Sequence, residues 1–210
     1  MDPHSCARPD EAVITHLALD LKVDMASRRL SGTAAYALKR TGGDNVRFDT
    51  DGLTIHSVRT GDGSPAEFTL GDSSFLGRAL TVKLPEGADT VIIDYETGPN
   101  ARALQWLSPE QTADKSKPFL FTQGQAILTR TWIPVQDSPG IRFTYDAKVT
   151  VPSDLMAVMS AENAQQRSSD GVYTFRMDKP IPAYLVALAV GDIAFKPIDE
   201  RTGIYAEKSV

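Results

Sequence analysis

Apolar residues recur at every second position through much of the chain. Leu17, Leu19, Leu21, Val23 and Met25 alternate with His16, Ala18, Asp20, Lys22 and Asp24. After the polar stretch Ala26-Ser-Arg-Arg29 the alternation resumes at Leu30, Gly32, Ala34, Tyr36 and Leu38. A period of two marks strands with one buried and one wet face, so this region predicts a β-hairpin near the N-terminus. Val46 and Phe48 predict a third strand, and Leu53 to Val58 a fourth. Leu80, Val82 and Leu84 predict another, closed by Pro85-Glu-Gly87, and Val91, Ile93 and Tyr95 one more. The most regular run is Ile141, Phe143, Tyr145, Ala147, Val149 and Val151, with Arg142, Thr144, Asp146, Lys148 and Thr150 on the opposite face. Tyr173, Phe175 and Met177 alternate again, and the apolar run Tyr184-Leu-Val-Ala-Leu-Ala-Val190 predicts a buried strand.

Short strands punctuated by Gly, Pro, Asp and Asn predict an all-β fold of stacked, mostly antiparallel sheets. No long segment carries the 3.6-residue period of a helix. One short helical turn is expected at Ser108-Pro-Glu-Gln111, with Ser108 as its cap and Pro109 opening it. Residues Gly98 to Pro118 lack alternation and are expected to cross between sheets or lie over a face. No repeat and no low-complexity linker divides the chain, so residues 1–210 read as a single domain.

Composition narrows the function classes. The chain is 41% hydrophobic and 23% charged, which is enough apolar material for a core and rules out a disordered tail. Its net charge is -5, and no Lys/Arg block is present to track a phosphate backbone, which excludes a nucleic-acid partner. No apolar run approaches the roughly 18 residues that cross a bilayer as a helix, so no membrane partner is expected. Cys6 is the single cysteine, which excludes an internal disulfide and a cysteine-based zinc cage, and it reads as inert. Met1 to Glu11 is polar and lacks a hydrophobic signal core. Met1 is either a natural start or one placed after a removed signal peptide, so a cytoplasmic and a periplasmic location both stay open.

Catalytic chemistry is sparse. A catalytic metal needs three converging protein ligands, whereas His4, His16 and His56 are far apart in sequence and no His-Glu-x-x-His is present. No Gly-x-Ser-x-Gly elbow occurs. Asp49-Thr-Asp51-Gly52 resembles the start of a calcium loop but lacks the later ligands, and reads as a strand-end turn. No pair of carboxylates is singled out for glycoside hydrolysis.

Residues 103–151 are distinctive. They contain Ala103-Leu-Gln-Trp-Leu-Ser-Pro-Glu-Gln-Thr112, then Pro118-Phe-Leu-Phe-Thr-Gln-Gly-Gln-Ala126, followed by Arg130, Trp132, Pro134, Gln136-Asp137, Pro139 and Arg142-Phe-Thr-Tyr145. This segment resembles the N-terminal domain of the M1 metallopeptidases, in the branch that includes leukotriene A4 hydrolase. Leu-Gln-Trp-Leu-x-Pro-Glu-Gln-Thr is narrow to that branch, and Gln-x-Gln-Ala-x-x-x-Arg-x-x-x-Pro-x-x-Asp matches the wider family. Weaker likeness extends to Arg29-Leu-Ser-Gly-Thr-Ala34, Pro180-Ile-Pro-Ala-Tyr-Leu185 and Ala187-Leu-Ala-Val-Gly191. Pro134-Val-Gln-Asp-Ser-Pro139 departs from the Pro-Cys-x-Asp-Glu-Pro of many relatives, so no role of that Cys or Glu carries over.

The resemblance implies a saddle-shaped β domain that closes one side of a peptidase cleft. It also implies a catalytic domain beyond Val210 that is this domain's partner and supplies the zinc and the exopeptidase loop, so no cofactor and no hydrolysis are expected of these residues alone. Peptide is the implied substrate, and nothing here implies epoxide hydrolysis. By resemblance Gln125 reaches into the cleft and contacts the substrate's N-terminal residue. A glutamine suits that task because its amide donates and accepts without adding charge. Gln123 shares its face if the segment is extended, and Ala126 lines the pocket by being small. All three are read either as substrate-binding or as ordinary loop residues. Arg130 and Asp137 are expected to be structural, as a pair fixing the turn into the Ile141 strand. Trp106 and Trp132 are expected to be packing anchors or to face the partner domain. The competing reading is a free-standing β-sandwich module that binds protein or carbohydrate.

Overall fold

The computed structural model describes residues 2–210. β1 (Ala12–Asp24) and β2 (Arg29–Arg40) form the expected hairpin. Its turn is closed by the Asp24 carboxylate, which accepts the N–H groups of Ala26 and Ser27. The other strands are β3 (Asn45–Thr50), β4 (Thr54–Thr60), β5 (Phe68–Leu70), β6 (Arg78–Lys83), β7 (Thr90–Glu96), β8 (Leu104–Leu107), β9 (Phe119–Thr122), β10 (Arg142–Thr150), β11 (Met156–Met159), β12 (Val172–Pro182), β13 (Leu188–Gly191), β14 (Ala194–Pro197) and β15 (Gly203–Ala206).

These strands make four sheets. The largest runs β12-β10-β1-β2-β7-β4, a second runs β11-β13-β9-β8, a third β3-β6-β5, and β14 pairs with β15. All the strand pairs are antiparallel except β1 with β10, which is parallel. The two most regular alternating runs in the sequence therefore lie side by side at the centre of the large sheet. Leu17, Leu19 and Leu21 register against Tyr145, Ala147 and Val149, and against Tyr36, Ala34 and Gly32 on the other side. One face of this sheet is buried. The other presents Asp20, Asp146 and Lys148 to solvent, with an exposed Lys148–Asp20 pair at 2.9 Å.

The inner face packs against the three-stranded sheet, where the rings of Tyr36 and Phe48 lie 4.6 Å apart. Trp132, Tyr95, Tyr145 and Phe143 fill the same core, which is continuous through the described residues. Gly32 is required at its place. It has φ 147°, and a Cβ there would sit 1.9 Å from the Asp20 carbonyl oxygen on the paired strand.

Two expectations need correction. The run from Tyr184 is not one strand, because Ala183–Leu185 is a 3-10 turn and only Leu188–Gly191 is extended. Leu185 is exposed and Val186 buried, so apolarity there reflects both packing and surface. The segment from Gly98 to Pro118 does cross between sheets but contains β8, an edge strand paired with β9. The turn expected after Ser108 is present at Pro109–Gln111, and the Gln111 side chain accepts the Ser108 N–H at 3.0 Å.

Candidate functional site

β9 ends at Thr122 and the chain then turns sharply through Gln123–Leu128 into a 3-10 turn at Thr129–Thr131. The Gln123 N–H bonds to the Ala103 carbonyl at 2.9 Å, and the Leu128 N–H reaches back to the Gly124 carbonyl at 2.8 Å. Gly124 is buried where a Cβ would lie 2.7 Å from Thr129 Oγ1 and 3.0 Å from the Tyr184 carbonyl. The loop can approach the Ala183–Leu185 turn only because this residue lacks a side chain. Thr129 Oγ1 completes the junction by donating to the Ala183 carbonyl at 3.1 Å.

This packing projects Gln125 and Ala126 outward, and both are exposed. The peptide bond between them is cis. They line an open cavity of about 400 Å³ together with Asp2, His4, Ile127, Pro139 and Tyr184. The Gln125 side chain makes no hydrogen bond among the described residues. Gln123 is also exposed, but its side-chain oxygen accepts the Gln125 N–H at 3.2 Å, and it does not line the cavity. In the same lining the His4 N–H, donated to Asp2 at 2.9 Å, holds the Asp2 carboxyl below its ordinary range.

Beneath the loop lies a buried charge network. Arg130 is 1% exposed, with Asp49 and Asp137 at 3% and 2%. Arg130 Nε donates to Asp137 Oδ2 at 3.2 Å, and Nη1 lies 3.5 Å from Asp49 Oδ1. The guanidinium also donates to the carbonyls of Leu76 at 2.9 Å and His4 at 2.8 Å. Asp49 accepts the Ser5 hydroxyl at 2.6 Å, the Cys6 N–H at 2.8 Å and the Asp137 N–H at 2.9 Å. Burial pushes the Asp137 carboxyl up to about 6 although Arg130 pulls it down, and the Asp49 charge adds to the rise. Burial, and then Asp49, push the Cys6 thiol well above its ordinary value, so little thiolate exists at neutral pH.

Asp49 is the residue that sequence reasoning missed. Placed at a strand end in what read as a turn, it is the centre of this network and has no spare oxygen for a cation. Asp51 pairs instead with Arg102 at 2.6 Å. Trp132 is fully buried, so of the two tryptophans only the half-buried Trp106 on β8 is available to a partner. Among the described residues no three His, Cys, Asp or Glu side chains converge as metal ligands. His16 is engaged with Thr144 and Asp146, and His56 lies beside Glu96.

The family described as the peptidase M1 N-terminal domain matches residues 13–185. Leukotriene A-4 hydrolase of Xenopus laevis is 40% identical to this chain over 100% of its length, which corresponds to 36% of that protein. Aminopeptidase B of Mus musculus is 36% identical over 92% of the chain and 33% of its own length. The structure of yeast leukotriene A4 hydrolase in complex with bestatin superposes with a TM-score of 0.91 at 30% identity, covering 100% of this chain and 33% of that one. An M1 zinc metallopeptidase of Deinococcus radiodurans shares the fold, with a TM-score of 0.73 at 18% identity over 95% of this chain and 48% of its own. The chain thus spans about a third of the length of the curated relatives it matches.

Proposed function

Because the chain belongs to the peptidase M1 N-terminal domain family, we propose that it walls one side of the substrate cleft of a zinc aminopeptidase, where Gln125 anchors the N-terminal residue of a peptide. The supporting observation is that Gln125 and Ala126 line an open cavity while the Gln125 amide is uncommitted. An exposed amide held on a rigid loop can accept an ammonium proton or donate to a carbonyl without bringing a charge. Gln123 supports it by accepting its N–H, and Ala126 leaves room beside it.

Zinc bound in such an enzyme polarises the scissile carbonyl and activates water. Among the described residues no three His, Cys, Asp or Glu side chains converge to hold that metal, so under this reading the zinc and the catalytic base come from a second domain. Exposed Phe121 and Leu185 lie on the elements that flank the Gln125 loop, and we take them as part of the face that domain covers. In the full gene product, Gln125→Ala should lower kcat/KM for dipeptide hydrolysis by roughly 5- to 150-fold, the loss of about 1–3 kcal/mol of hydrogen bonding. Unchanged kcat/KM would make Gln125 a plain loop residue.

A further inference from the structure

The N-terminal arm, residues 2–7, precedes β1 and belongs to no sheet, yet Ser5 and Ala7 are buried. It is fastened by three hydrogen bonds to two buried charges. Ser5 Oγ and the Cys6 N–H donate to separate oxygens of Asp49, at 2.6 and 2.8 Å, and Arg130 Nη2 donates to the His4 carbonyl at 2.8 Å. Bonds to charged groups are about twice as strong as neutral ones. The same arm adds Asp2 and His4 to the lining of the cavity that holds Gln125. Arg130 lies four residues beyond Ala126, and its own carbonyl is held by the Asp51 N–H at 2.9 Å. One network therefore holds both the arm and the end of the loop that carries Gln125.

We propose that residues 2–7 are a strap, latched by Asp49 and Arg130, that completes the Gln125 cavity and positions its loop. Asp49 and Ser5 are then positioning residues, acting on the cavity through the arm and Arg130. The strap's part in substrate binding rests on the function proposed above, but the latch itself does not.

Cys6 provides the test, because it lies on the strap and is the one cysteine of the 210-residue chain. Labelling of Cys6 by N-ethylmaleimide should be slow in the wild type. In Ser5→Ala, which loses the bond to Asp49 and the acceptor of the Ala7 N–H, it should be about tenfold faster, with faster amide exchange in residues 123–131 and unchanged exchange in β10. Ser5→Thr, which keeps the hydroxyl, should restore the slow rate. Asp49→Asn should open the strap further, and if it does not fold, the Ser5 pair decides. Labelling of Ser5→Ala at the wild-type rate overturns the latch. Faster labelling with unchanged exchange in residues 123–131 overturns the positioning role. In the full gene product Ser5→Ala should raise KM while sparing kcat. A strap that opens beside a kinetically silent Gln125 would remove the substrate reading and leave the latch standing.

Discussion

Burying a guanidinium between carboxylates carries a desolvation penalty that only a full set of partners offsets. Arg130 has that set in Asp137, Asp49 and the carbonyls of Leu76 and His4. Arg130→Met should therefore destabilise the chain by roughly 3–5 kcal/mol in urea unfolding, because two buried carboxylates lose their counter-charge. Asp137 makes a second prediction. Its folded value is about 6 against an ordinary 3.8, so the folded state holds this proton more tightly than the unfolded chain. The resulting stability is complete below about pH 4 and is lost as pH rises through about 6. Relative to Asp137→Asn, the wild type should lose up to roughly 3 kcal/mol across that window, and parallel stability curves for the two proteins would contradict it. Gln125 and Ala126 stand out in sequence as candidates because they sit in a dense motif. Asp49 was not, since its burial depends on an arm and a loop that meet it only in three dimensions.

At the scale of elements, β1 shows what alternation reveals and what it hides. Ala12 and Ile14 are buried on one phase and Leu17 to Val23 on the other, with the register slip between Ile14 and His16. A bulge of this kind lets both phases face one core. Gln136 lies at this stretch, where its amide accepts the Ile14 N–H at 2.9 Å and donates to the Ala12 carbonyl at 3.0 Å. Gln136→Leu leaves two buried backbone groups unpaired and should cost about 2–4 kcal/mol, with the Ile14 amide exchanging faster. An unchanged Ile14 exchange rate would mean that other groups pair it. The long strands were readable because ten or more residues repeat one period. β5, β9, β11, β14 and β15 span three or four residues each, too few for a period to show. The Tyr184 run misled because a partly exposed turn and a buried strand can share one apolar composition.

The whole molecule presents a closed core with an incomplete-looking rim. Phe121 and Leu185 are exposed around the glutamine loop, at 38% and 46%. A domain that closes another's active site should leave such groups uncovered when alone, so the isolated chain should bind a hydrophobic dye or self-associate, whereas a free-standing module should do neither. The all-β class was legible from period and turns, but the proposed cleft role rests on motif likeness, since the sequence has no His-Glu-x-x-His and no metal-ligand cluster forms among the described residues. The most direct measurement is reconstitution. The 210-residue chain and the zinc-bearing domain that the proposed function assigns to the remainder are made separately, and zinc-dependent release of an N-terminal amino acid from a tripeptide is followed for each and for the mixture. The account predicts no turnover by the chain alone and a rate in the mixture well above that of the remainder. Turnover by the chain alone, or a remainder whose rate the chain does not change, would contradict it.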